Sequence, residues 1–159
     1  MLRQLSLALI FGLGIAGSAY ASDEVRVLRQ TPISENITIP YKVKEECSNI
    51  GLDLPSELSR VHKAVKLVKE AKELKGKGKY LEMEFIDIQA KQGSVFSGPK
   101  KMTVRGTLYE NGKEVGDFEG QRSSAVSSFS TCEMLAKIEK TLAQDIGKWL
   151  HNPKPGARL

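Results

Sequence analysis

The stretch RGTLYENGKEVGDFEG, residues 105–120, decides the fold. Asn111-Gly112 supplies the two positive φ angles of a type I′ turn, so the flanking residues read as two antiparallel strands closed by a two-residue loop. Simple closure sets Leu108 opposite Val115, a sensible apolar pair, but it also sets Arg105 opposite Phe118. A β-bulge at Gly116 moves Phe118 onto the apolar face, and a bulge is therefore predicted there. The first strand of the hairpin spans Met102–Tyr109, with Met102, Val104 and Leu108 in phase.

Upstream, Tyr80–Ala90 reads as another strand in two phases. Leu81, Met83 and Phe85 share one face and Ile86 and Ile88 the other, which predicts a bulge near Phe85. Between these strands, Lys91–Lys101 is a long glycine-punctuated loop. Downstream, Ser130 and Glu133 form the signature of a capping box, and Leu135, Ile138, Leu142, Ile146 and Trp149 follow at helical spacing. Trp149 is expected at the edge of the core. Further upstream, Leu58, Val61, Val65, Val68, Ala71 and Leu74 step by three or four, which predicts one amphipathic helix from Pro55 to about Leu74. Ile37, Ile39, Tyr41 and Val43 alternate as a strand does, and Pro40, which has no N–H for a ladder, places that strand at an edge. The predicted order is strand, helix, three strands, helix. This is an α+β fold, an antiparallel sheet with two helices on one face, in a single domain over residues 37–151. Residues 22–36 are expected to be a flexible lead-in, in which the weak alternation of Val25 and Val27 leaves room for a short edge strand, and residues 152–159 a flexible tail.

The first 21 residues carry a positive start at Arg3, an apolar run from Leu5 to Ile15 and an A-x-A exit ending at Ala21, the three parts of a cleaved export signal. The apolar run is too short to span a bilayer, and no second stretch approaches that length. The expected product begins at Ser22 and resides in the periplasm or outside the cell. The whole chain has 159 residues and a formal charge of +5; Arg3 is the only charge in the leader, so a mild basic excess remains. Such an excess favours anionic surfaces without specifying one. Nucleic acid is not an expected partner for an exported chain.

Export also settles the reading of the two cysteines. Cys132 lies in the first turn of the last helix, where a thiol gains thiolate character. The compartment is oxidising, the count is even and there is no Cys-x-x-Cys, so Cys47 and Cys132 are expected to form a disulfide joining the approaches to the two predicted helices.

The span from GKYLEMEFIDI through RGTLYENGKEVGDFEG to STCEMLAKIEKTLAQDIGKWL resembles small exported bacterial envelope proteins of no assigned activity. Its layout is similar to the N-terminal α+β module of TolB. The resemblance implies a binding or assembly role in the periplasm, with another envelope protein as partner, and carries over no catalytic residue.

Candidate chemistry is sparse. The two histidines, His62 and His151, lack the i+4 spacing of a helical metal pair, so no metal site and no cofactor are expected, and His62 reads as a solvated helix residue. Serines 123, 124, 127, 128 and 130 fit no nucleophile elbow and read as the polar turn before the last helix. GKGK and GSVFSGPKK do not match a phosphate loop. Asn36-Ile37-Thr38 is a glycosylation sequon that has meaning only in a eukaryotic secretory pathway. Glu82, Glu84 and Asp87, with Asp117 and Glu119, are the carboxylates an enzyme could use for acid and base work, although alternating acids on a strand are ordinarily its wet side. Lys75, Lys77 and Lys79 would form a basic rim with Lys100 and Lys101 if the glycine-rich segment after residue 74 met the 91–101 loop in space. Such a rim would bind an anionic surface, a polyanion or lipid headgroups. The leading expectation is a non-enzymatic exported domain that binds another envelope component.

Overall fold

The computed structural model describes residues 24–90, 99–124 and 130–159. Ten elements follow in the order β1 (Val25–Leu28), α1 (Tyr41–Glu46), α2 (Asp53–Val61), β2 (Val65–Val68), α3 (Ala71–Leu74), β3 (Lys79–Gln89), β4 (Lys101–Glu110), β5 (Lys113–Ser123), α4 (Thr131–Leu150) and β6 (Ala157–Arg158). The expected leader, residues 1–21, and most of the 91–101 loop lie outside the described residues.

The fold class is the α+β expected. The sheet has six strands in the order β2-β1-β3-β4-β5-β6. It is mixed and not wholly antiparallel: β1 runs parallel to both β2 and β3, and β6 runs parallel to β5, while β3, β4 and β5 form the antiparallel meander. The hairpin follows its local chemistry. Asn111 and Gly112 take φ of 52° and 78°, as a type I′ turn requires. The register shifts after Leu108, which faces Gly116, while Tyr109 faces Glu114, so Phe118 lands opposite Gly106 on the core side. The bulge in β3 falls where the phase change predicted it, between Phe85 and Asp87.

Gly106 is a position where side-chain volume is excluded. A Cβ there would lie 2.5 Å from two ring carbons of Phe118 and 3.2 Å from the carbonyl oxygen of Glu82. Gly106→Ala is expected to destabilise the protein by about 1–3 kcal/mol through overpacking, measurable by urea unfolding.

Three expectations are corrected. The predicted strand over residues 37–43 is absent. Pro40 instead stands at the N-cap of α1, where a missing N–H costs nothing, and Val43 and Cys47 bury one helical turn apart. Ile37 and Ile39 still pack against the core, which explains their alternation. The single helix over 55–74 is three elements. It ends at His62, and Val65–Val68 joins the sheet beside β1 before the short α3, itself closed by a Glu70/Glu73 capping box. A three-residue step between Val65 and Val68 fits a helix stripe, yet β-branched residues gain more from a ladder. Finally, the expected flexible ends belong to the sheet. β1 sits between β2 and β3, and the tail returns along β5, with Leu159 N–H donating to Glu119 O at 3.0 Å and Gly156 N–H to Asp117 Oδ1 at 2.8 Å.

The main core lies between the sheet and α1, α2 and α4. Val27, Leu54, Leu58, Phe85, Val104, Leu135, Leu142 and Ile146 are among its fully enclosed members. Its edge is Trp149, set edge-on to Phe118 at 4.9 Å and donating from Nε1 to Lys154 O at 3.2 Å. A second, smaller cluster of Val68, Leu74 and Tyr80 lies under α3, with Tyr80 stacked on Tyr109 at 4.9 Å. Tyr80 alternates with Leu81 along β3, which puts this cluster on the opposite face. Helices therefore cover both faces, unequally, where two on one face were expected.

Candidate binding site

The sheet face left largely open by α3 carries a groove in which two of the predicted acidic residues, Glu82 and Glu84, lie. Leu28, Pro32 and Leu74 form its apolar wall, and Lys75, Glu82, Glu84, Arg105 and Thr107 its polar one, around about 440 Å³. Strand alternation places Glu82 and Glu84 on this face together with Arg105 from β4. Each carboxylate has a cation: Lys75 Nζ lies 3.0 Å from Glu82, and Arg105 reaches Glu84 at 2.7 Å. Asp87 pairs with Lys101 at 2.9 Å, and Glu119 pairs with Arg158. These carboxylates stay about a third or more exposed, each beside its cation. The arrangement is a zwitterionic, wet sheet face suited to polar contact.

The five lysines of the expected rim do not meet. Lys79 faces Glu110 at one end of the β3–β4 ladder, and Lys101 faces Gln89 at the other. About ten residues at roughly 3.3 Å each separate the two groups by some 30 Å. Lys75 and Lys77 belong to a loop that is pinned at the hairpin end and leads into Lys79 at the start of β3. Gly78 N–H donates to Asn111 Oδ1 at 2.9 Å, and the Arg26 guanidinium donates to Glu73 O at 2.9 Å and to Lys77 O at 2.7 Å. Lys100 is buried, and burial pushes its amine below the usual lysine range. The physical reason is the hairpin itself: a ladder this long holds its two ends apart.

Cys47 and Cys132 are joined, as the even count and the expected export predicted, with Cα atoms 5.2 Å apart. Beside the bridge, a residue absent from the sequence reading dominates. Glu139 of α4 is 1% exposed and accepts from Gly51 N–H at 3.0 Å and from Leu54 N–H at 2.9 Å. It thus holds the segment between the disulfide and α2 onto α4. Burial pushes its carboxyl up to about 7, against the two N–H donors that pull it down. Its i+4 place after Leu135 in the buried stripe was the available signal.

The histidines form the other unforeseen feature. His62 follows α2 and His151 follows α4, and their rings stand 4.9 Å apart at 41°. They border a cavity of about 690 Å³ with Lys63, Lys79, Glu110 and Leu150. Burial pushes the His62 imidazole below its usual 6.5, and His151 adds to the effect. The unfolded chain therefore takes up a proton at residue 62 more readily than the fold does, and acid costs stability as pH falls through the His range. His62→Gln is expected to flatten that part of the profile, checked by urea unfolding at about pH 7.5 and pH 5.

No family model matches the chain, and no curated protein matches it by sequence. Among solved structures it is similar to PelC from Paraburkholderia phytofirmans, a dodecamer, with 17% identity and a TM-score of 0.54 over 82% of this chain and 90% of that one. An uncharacterised protein gives 10% identity and a TM-score of 0.51 over 81% and 91%. A minor lipoprotein from Acinetobacter baumannii gives 12% and 0.42 over 81% and 90%. At these identities the likeness to the first two is one of fold. None of the three bears the TolB name. Among the described residues, no helix is long and apolar enough to cross a membrane.

Proposed function

We propose that this chain is an exported, periplasmic domain of the bacterial cell envelope that acts by binding or assembly and not by catalysis, after removal of residues 1–21. The observation that carries the reading is the Cys47–Cys132 bridge, because a structural disulfide belongs to an oxidising compartment. The leader pattern ending at Ala21 supports it independently. A fold shared with a protein crystallised as a dodecamer makes self-association the first assembly to look for. The groove carrying Glu82, Glu84, Arg105 and Lys75 is the surface assigned to partner contact, since its paired charges favour polar, salt-sensitive recognition.

The test is non-reducing affinity capture of the chain from its source envelope, with light scattering of the purified chain. A defined homo-oligomer, or a stoichiometric envelope partner lost on Arg105→Glu, is the expected result. A monomer that co-fractionates with cytosolic markers and captures nothing would overturn the reading.

A further inference from the structure

We propose that His62 and His151 together form a two-imidazole site for a divalent transition-metal ion of the Zn²⁺ or Cu²⁺ class. The chain has two histidines in all, and folding brings both to one place from elements far apart in sequence. A site of two borderline nitrogen ligands selects such ions over Mg²⁺ or Ca²⁺, which take oxygen.

The geometry suits a shared ion. A metal sits about 2.0–2.1 Å from an imidazole nitrogen, hence about 3.2 Å from the ring centre, so two rings at a tetrahedral angle have centres about 5.2 Å apart. The observed 4.9 Å differs by a few tenths of an ångström. His62 Nδ1 is buried and, among the described residues, meets no hydrogen-bond partner beyond its own backbone, a position that costs free energy until a donor or a metal occupies it. His151 is exposed, so its ring reorients without disturbing the core. Both follow helix C-termini, whose dipoles attract positive charge, and Glu110 adds a carboxylate to the cavity wall. Lys63 and Lys79 border the same cavity and oppose the charge; Lys79 lies 3.9 Å from Glu110. Among the described residues no group of three or more His, Cys, Asp or Glu side chains gathers for a metal, so water completes the coordination and the ion is exchangeable.

The experiment is thermal unfolding and calorimetric titration of the full chain without a histidine tag, after EDTA treatment, with ZnCl₂, CuCl₂ or MgCl₂. Zn²⁺ or Cu²⁺ at tenfold excess over Kd is expected to raise Tm by about 4 °C. Mg²⁺ should leave Tm unchanged. His62→Gln and His151→Gln should each weaken binding by about tenfold or more. His151→Gln changes an exposed ring, so its metal-free Tm should match the parent and separate binding from folding. Absence of a shift with both transition metals, or an equal shift in both variants, would overturn the proposal.

Discussion

Replacing Cys47 and Cys132 by serine is expected to lower Tm by on the order of 10 °C or more, with the largest part of the loss arising in the unfolded chain. The bridge closes a separation of 85 residues, for which the chain-entropy relation gives about 4.6 kcal/mol before native strain is subtracted. Losses measured for comparable native bridges run about 2–5 kcal/mol, much of the net stability of a small domain. Position reinforces the number. Cys47 ends α1 and Cys132 opens α4, so the bond fixes the 47–54 segment at the very place where Glu139 grips it. Urea unfolding with and without reductant measures the effect, and the double variant should be insensitive to reductant. Equal midpoints for the oxidised and reduced protein would contradict this account of the bridge.

Glu139→Ala is expected to cost about 2–5 kcal/mol, because it leaves the N–H groups of Gly51 and Leu54 buried without acceptors as well as opening a void. Glu139→Gln keeps the volume but offers one acceptor oxygen to two donors, and about 1–3 kcal/mol should be lost. The pH signature has a definite sign. The folded carboxyl is pushed up to about 7 from an ordinary 4.5, so the folded protein binds the proton more tightly over that window. Stability contributed here is therefore greatest below the unfolded value and declines as pH rises through 7. This runs opposite to the His62 effect, and single variants separate them: Glu139→Gln should leave only the acid loss, and His62→Gln only the alkaline one. Urea midpoints from about pH 4.5 to pH 8 check both slopes.

Local chemistry made one half of the molecule legible. Asn111-Gly112, the misplaced Phe118 and the phase change near Phe85 each state a backbone requirement within a few residues, and all three appear in the register. Ser130 and Glu133 likewise start α4 where they predict it. The N-terminal half depends on distant pairing. Val25–Leu28 is four residues long and gains strand character only between β2 and β3, which lie some 40 to 50 residues further on. Val65–Val68 satisfies a helical stripe and a ladder equally well, and the open side of β1 decides between them. The site was legible at the cysteines, whose even count and expected export pointed to a bridge, and not at the lysines. Their proximity in sequence says nothing about a long hairpin that holds the two groups apart. Both histidines were visible as residues, but their convergence required α2 and α4 to end side by side.

The most direct test of the central claim, an exported domain braced by its one sulfur pair, is the intact mass of the protein recovered from its source under non-reducing conditions with free thiols trapped. The account predicts a chain that begins at Ser22, has the mass of the disulfide form and takes up no alkylating reagent. A chain that still carries Met1, with Cys47 and Cys132 both alkylated, would contradict it.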